Sequence, residues 1–145
     1  MKKVLNITLI ILFAILASNC SHKPIEEITA THDDGSPKIV KYFDEGEKGR
    51  ILVKEIHYYA DGKKKLEGSY KNTQRDGLWT SWYANGNIWS QSEYTDGIEN
   101  GLYVVYHENG SKYYEGHYKK GNRVGKWTFW DLGGKKSTLN YDKKE

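Results

Sequence analysis

Cysteine, proline and methionine are scarce in this 145-residue sequence, which contains one cysteine, two prolines and one methionine. The single cysteine, Cys20, excludes an intrachain disulfide and any metal site built from several cysteines. Both prolines, Pro24 and Pro37, lie near the N-terminus, so no proline interrupts strand pairing in the rest of the chain. These absences exclude a disulfide-rich fold and leave a long region that is open to β-structure.

An excess of charge of one sign is also missing. The chain has 22 Lys and Arg against 19 Asp and Glu, a net charge of +3. Lys2 and Lys3 are the only charged residues before Cys20, so the remainder carries 20 minus 19, or +1. Nucleic-acid-binding domains concentrate Lys and Arg on one face. We therefore expect no nucleic-acid partner.

Motifs for catalysis are absent as well. The sequence has no Gly-x-Ser-x-Gly element and no His-Glu-x-x-His helix. His107 and His117 lie near Glu108 and Glu115, but a metal site needs three or four converging ligands. We expect no enzymatic activity, no catalytic residues, no metal and no cofactor.

The N-terminus has the pattern of a bacterial lipoprotein signal. Lys2 and Lys3 precede an apolar run from residue 4 to residue 17, which is shorter than the ~20 residues of a membrane-spanning helix. Small residues then lead to Cys20, the expected acceptor of a lipid after cleavage of residues 1–19. The alternative is an ordinary secretory signal in which the cysteine is coincidental.

A lipid on Cys20 predicts attachment to a membrane in the bacterial cell envelope. Ser21 follows the cysteine instead of the Asp that retains lipoproteins in the inner membrane, so we expect the outer membrane. Residues 20–36 are polar and without periodicity, which predicts a flexible tether. Residues 37–145 are then predicted to form the folded domain.

A 24-residue repeat organises this domain. Four glycines, three tyrosines and two columns of aromatic residues all recur with that step, as expected of stacked repeats. The glycines are Gly62, Gly86, Gly110 and Gly134, and the tyrosines are Tyr70, Tyr94 and Tyr118. One aromatic column consists of Trp79, Tyr103 and Trp127, and the other consists of Tyr58, Trp82, Tyr106 and Trp130.

Each repeat is predicted to contain two strands and two turns. Pairs such as Asn85-Gly86 accept the positive φ of tight hairpin turns, and longer loops are predicted to end at Gly77, Gly101 and Gly125. Large rings are expected to lie over the small residues of neighbouring strands, at Gly68, Ser92 and Gly116. The prediction is an all-β fold, an open antiparallel repeat sheet of eight or nine strands.

At these residues the chain resembles MORN repeats. Three units, beginning at residues 58, 82 and 106, carry the turn glycine and the Gly-aromatic element in register. They most resemble the bacterial variant in proteins known as YwqK-type antitoxins of toxin–antitoxin systems. The resemblance implies a meander of β-hairpins, and by similarity with eukaryotic MORN proteins it implies protein partners and membrane lipids.

Three functions are consistent with this sequence. The first is a membrane-tethered scaffold that binds an unidentified protein partner through exposed rings, since Tyr and Trp are enriched among binding anchors. The second is a cell-wall or glycan binder in which the same rings stack on sugars, and the third is an antitoxin or immunity protein. The predicted binding residues are Trp82, Trp89, Tyr106, Tyr113 and Trp130.

Overall fold

The computed structural model describes residues 23–47 and 49–143, and within them the chain forms ten β-strands in one sheet. Each strand pairs antiparallel with the next, in the order β1 to β10. This confirms the predicted all-β, open antiparallel repeat sheet, with ten strands instead of eight or nine. The strands are β1 Ile25–Thr31, β2 Pro37–Gly46, β3 Gly49–Tyr58, β4 Lys64–Lys71, β5 Gln74–Trp82, β6 Ile88–Thr95, β7 Ile98–Tyr106, β8 Lys112–Lys119, β9 Asn122–Trp130 and β10 Lys136–Asn140.

The predicted signal segment, residues 1–19, and the predicted acceptor Cys20 lie outside the described residues. In the part of the chain that the structure describes, no helix is long and apolar enough to span a bilayer.

The flexible tether predicted over residues 20–36 is wrong from Ile25 onwards. Strand β1 lies within it and pairs with β2, for example through Ile25 opposite Phe43 and Ile28 opposite Val40. As an edge strand with a single neighbour, β1 keeps mostly exposed polar side chains, so it has little of the alternation that marks an inner strand. The sheet therefore begins at Ile25, twelve residues before the predicted boundary at residue 37.

The first turn of each repeat is a four-residue turn that ends on glycine. After β3, the Gly62 amide donates to the Tyr59 carbonyl at 3.0 Å, and the Lys63 amide donates to the Asp61 carboxylate at 3.1 Å. Only the glycine has a positive φ, of 80° at Gly62. Asp61, the residue before the glycine, does not have a positive φ, and its side chain closes the turn. The structure therefore differs from the prediction that both residues of the pair have positive φ.

The second turn is tighter than predicted, with two central residues that both have positive φ. These are Asn72 and Thr73, Asp96 and Gly97, and Lys120 and Gly121. Such turns match the right-handed twist of the paired strands. The glycines at 77, 101 and 125 do not end loops but lie within strands, next to β-bulges where the register shifts.

Thr73 is the strained member of this set, and we expect Thr73→Gly to stabilise the protein. Its φ is 65°, a conformation that is costly for a β-branched residue, and the two matching positions are glycines. Removal of the strain should raise the free energy of unfolding by about 1 kcal/mol, measured by urea denaturation. If the variant is less stable than the wild type, the contacts of the Thr73 side chain contribute more to stability than its backbone strain costs.

The sheet is a single layer with two faces, which we name by their rings. The front face carries Trp79, Tyr103 and Trp127, and the back face carries Tyr58, Trp82, Tyr106 and Trp130. The buried residues divide between the faces because side chains alternate along a strand. Trp79, Val105 and Trp127 are buried on the front, whereas Val40, Ile56 and Val104 are buried on the back.

Front-face rings lie over small residues of the neighbouring strand, as the sequence predicted. A Cβ added at Gly68 would overlap the indole of Trp79, and one added at Gly116 would overlap the indole of Trp127. Trp127 is 0% exposed even though no second layer covers this face. Its cover comes from the edges of Tyr118 and Tyr141, at 5.2 and 5.7 Å between ring centroids.

Candidate functional site

The five predicted binding residues lie on two different faces. Trp89 and Tyr113 are on the front, and they are among the most exposed large rings, at 50% and 46%. Trp82, Tyr106 and Trp130 are on the back and are half-buried. No single surface therefore contains all five.

A β-bulge separates the two groups. Trp82 pairs with Ile88 and Ser81 pairs with Ser90, so Trp89 stands between them without a partner on β5. The bulge gives β6 one extra residue and places Trp89 on the same side as Ser90. Tyr113 occupies the same position on β8, between residues that pair with Tyr106 and Val105.

Each exposed front ring is supported by an aromatic residue from the preceding turn. The ring of Trp89 lies 6.2 Å from that of Tyr83, and the ring of Tyr113 lies 4.8 Å from that of His107. In the first repeat the same position is Lys65, whose ammonium lies 5.5 Å from the Tyr59 ring. These pairs fix the direction of the exposed side chains and leave one face of each ring open.

Two of the back-face rings, Trp82 and Trp130, each lie close to a lysine. Lys64 lies 6.0 Å from the Trp82 ring, and Lys112 lies 5.6 Å from the Trp130 ring. Both lysines also bind a glutamate at 2.6 Å, Lys64 to Glu67 and Lys112 to Glu115. These cation–π contacts and ion pairs occupy the rings within the sheet itself, which makes them poorer binding surfaces than Trp89 and Tyr113.

Glu67 is the most constrained acid of this face. Burial acts to raise its pKa, but hydrogen bonds from Lys54 and Lys64 outweigh burial and hold the pKa below its usual value. A carboxylate with a lowered pKa stabilises the fold above its unfolded-state pKa and loses that contribution as the pH falls. The role of Glu67 is therefore to join β3 and β4 within the sheet.

A column of side chains that the sequence reading did not single out joins successive hairpins. The Tyr59 hydroxyl donates to the Trp82 carbonyl at 2.7 Å, and the Tyr83 hydroxyl donates to the Tyr106 carbonyl at 2.9 Å. His107 continues the column with Nε2 3.4 Å from the Trp130 carbonyl. The 24-residue step of residues 59, 83 and 107 was the signal that could have revealed this column.

Potential metal-ligating side chains do not converge among the described residues. Among them, no group of three His, Cys, Asp or Glu side chains is close enough to hold a metal ion. His107 contacts Tyr113 on the front face, whereas His117 pairs with Leu102 and lies on the back face. The two histidines are therefore on opposite faces of the sheet.

Solved structures with some likeness to this sheet include a crystal structure of TarM and one of a mutant S. aureus TarM in complex with fondaparinux, alpha-GlcNAc-glycerol and UDP. They are 19% and 20% identical, each with a TM-score of 0.46 and 79% of this chain covered. The GtfA/B complex bound to UDP and GlcNAc is 11% identical, with a TM-score of 0.32 and 75% of this chain covered. This chain spans 21% of the length of each of those chains.

No curated protein sequence matches the chain. A family model does match it: the MORN repeat variant, over residues 53–72, 75–96 and 99–120. Each match contains one hairpin with a glycine-ended turn, formed by β3 and β4, by β5 and β6, or by β7 and β8. Three consecutive segments at the centre of the sheet are therefore similar to the MORN repeat variant.

Proposed function

We propose that this protein is a membrane-tethered lipoprotein whose repeat sheet binds a protein partner. The observation that carries the proposal is the pair of exposed rings, Trp89 and Tyr113, on the same face of successive repeats. MORN repeats support a repeat-based interaction module, and repeat sheets offer extended binding surfaces. Cys20 is the proposed lipid acceptor, and the bacterial outer membrane is the proposed location.

The two rings have the properties of binding anchors. Trp and Tyr provide large, rigid contact area at a low cost in conformational entropy. Their bulges are two strands apart, which corresponds to about 10 Å between the rings. A partner can therefore contact both rings at once through a single extended segment or a shallow pair of pockets.

The position of β1 sets the proposed distance from the membrane. Four residues lie between Cys20 and Ile25, so the five steps of the chain limit the gap to about 17 Å when it is extended. Trp89 on β6 and Tyr113 on β8 are five and seven strands further, or about 25 and 35 Å along the sheet. The proposed tether would therefore hold the β1 edge near the lipid and present the rings away from it.

We expect Trp89→Ala and Tyr113→Ala to weaken partner capture, and the double variant to abolish it. Truncation of an aromatic anchor costs about 2 kcal/mol or more in binding, which is roughly thirtyfold in affinity per ring. The measurement is quantitative capture from an envelope extract of the source bacterium, with the unfolding free energy of each variant measured in parallel.

The matched control is Leu132→Ala, which removes an exposed apolar side chain from the turn after β9. It should leave both capture and stability unchanged. Full capture by a folded double variant would contradict the proposal and would make the unpaired strand edges the candidate surface. An antitoxin or immunity role rests on the family resemblance alone and stays a prediction.

A further inference from the structure

The middle of the sheet departs from the repeat pattern on the front face. At five positions, residues on β5, β6 and β7 are serine, tyrosine or glutamate, whereas the residues aligned with them at the 24-residue step are other rings, aliphatic side chains, glycine or arginine. One set of aligned residues consists of Leu66, Ser90 and Tyr114, and a second consists of His57, Ser81, Val105 and Phe129. The third set consists of Gly68, Ser92 and Gly116, the fourth of Trp79, Tyr103 and Trp127, and the fifth of Arg75, Glu99 and Arg123.

These departures converge in space. Ser81 pairs with Ser90, Trp79 pairs with Ser92, and Ser92 also pairs with Tyr103 on the other side. Ser81 and Ser90 are smaller than the residues aligned with them, and a depression of about 210 Å³ lies beside them in the front face. It is lined by Ser81, Ser90, Ser92 and Glu99, by the rings of Trp79, Trp89, Tyr94 and Tyr103, and by Leu66 and Arg75.

The polar floor of the depression is an unusual choice for a sheet interior. Ser81 and Ser92 are 8% and 6% exposed, and Val105 and Phe129 occupy positions aligned with Ser81, whereas glycines occupy those aligned with Ser92. The Ser81 and Ser90 hydroxyls bond each other at 2.6 Å, and Ser92 donates to Glu99 at 3.3 Å. The floor therefore presents hydroxyl donors and acceptors that a polar ligand can use.

The charges in the depression balance. Glu99 is the acid, and Arg75 is the base, with its guanidinium 4.0 Å from the Trp79 ring and 5.5 Å from the Tyr94 ring. An uncharged ligand fits this balance better than an anion or a cation. The remaining groups are hydroxyls, which donate and accept, a carboxylate, which accepts, and the open ring of Trp89.

We propose that the depression binds one neutral pyranose unit. The hydroxyls of a sugar match the serines and Glu99, and its C–H face matches the Trp89 ring, in the usual combination of apolar walls with a few polar groups. The volume admits a single sugar ring, either free or as one unit of a glycan.

This site shares Trp89 with the proposed protein interface and is otherwise formed by different residues. Tyr113 does not line the depression, and Glu99 and Ser90 are not among the exposed rings that define the interface. Loss of sugar binding and loss of partner capture can therefore be measured independently, with Tyr113→Ala affecting only the second.

The test is an NMR titration of the five tryptophan indole N–H signals with glucose, galactose, mannose and N-acetylglucosamine. We expect one of these sugars to shift the Trp89 signal while the Trp82 and Trp130 signals on the back face stay fixed. A linear tetrasaccharide of that sugar distinguishes the source: binding with equal or higher affinity indicates a glycan chain, and binding of the monosaccharide alone indicates a free sugar.

Ser90→Tyr is the blocking variant because it installs the residue of the next repeat and fills the depression. It should weaken sugar binding at least about tenfold, as should Glu99→Gln, which removes the charged acceptor without changing the volume. The control Ser137→Tyr adds a ring on β10, outside the depression, and should bind normally.

Unchanged sugar affinity in both Ser90→Tyr and Glu99→Gln, with the fold intact in their spectra, would overturn the proposal. The absence of any Trp89 shift with all four sugars would also overturn it. A Trp89 shift caused by tetramethylammonium and by none of the sugars would identify a cation site and would contradict a neutral ligand.

Discussion

Gly116→Ala will destabilise the protein by about 3 kcal/mol, near the upper end for an overpacked core position. The new Cβ would overlap the indole of Trp127, which is the only fully buried large side chain among the described residues. Gly116 does not have a positive φ, so alanine fits the backbone and the loss is due to the ring alone. The free energy of unfolding from urea denaturation, followed by circular dichroism, measures the effect.

Ser92→Ala is the matched control, because position 92 is the equivalent of position 116 and already carries a Cβ. It loses one hydroxyl contact with Glu99, and we expect a change of no more than about 1 kcal/mol. Adding Trp127→Tyr to Gly116→Ala reproduces the side-chain sizes of the middle repeat and should recover part of the loss. If the Gly116→Ala variant is as stable as the wild type, the packing of the Trp127 ring does not require a glycine at position 116.

Cys20→Ala will release the protein from the membrane, the second large effect we expect. In the proposed lipoprotein, Cys20 accepts the lipid that provides the anchor. Each buried methylene contributes about 0.8 kcal/mol to anchoring, so loss of the acyl chains removes nearly all of the membrane affinity. Labelling with a radioactive or clickable fatty acid, together with membrane fractionation, measures the result.

Ser21→Ala serves as the control for this experiment, because it alters the neighbouring residue and leaves the acceptor intact. That variant should be labelled like the wild type and remain in the membrane fraction. If Cys20→Ala keeps both its label and its membrane fraction, the protein is not anchored through this cysteine. A soluble wild-type protein without fatty acid would point instead to an ordinary secretory signal.

The regular part of the fold could be predicted from the sequence because each repeat imposes the same local demands. The 24-residue step of Gly62, Gly86 and Gly110 indicated hairpins, and all three glycines have positive φ in the structure. The pairing of Trp79 with Gly68, and of Trp127 with Gly116, was predicted from small residues opposite large rings. These features depend on near neighbours, which the sequence places side by side.

Features that depend on the exact register could not be predicted in this way. A regular alternation counted back from Gln91 would place Trp89 on the face of Trp82, and the bulge between Ile88 and Ser90 reverses that. The bulge adds one residue to one strand, and no single residue type marks it. For the same reason the sequence alone did not show that the five predicted binding residues divide between two faces.

The end of the repeat array shows the same effect. Tyr94 lies 15 residues after Trp79, and Tyr118 lies 15 after Tyr103, but Tyr141 lies only 14 after Trp127. Strand β10 pairs with β9 without a bulge, so it needs one residue fewer to bring a tyrosine against the indole. The strict 24-residue column therefore missed Tyr141.

Site-specific photo-crosslinking tests the proposed interface most directly. A benzophenone amino acid would replace Tyr113 on the front face in one variant and Tyr106 on the back face in another, both expressed in the source organism. We predict a discrete crosslinked partner from position 113, competed by the unmodified protein, and none from position 106. A crosslink from position 106 alone, or equal crosslinks from both, would contradict a binding surface formed by the exposed front rings.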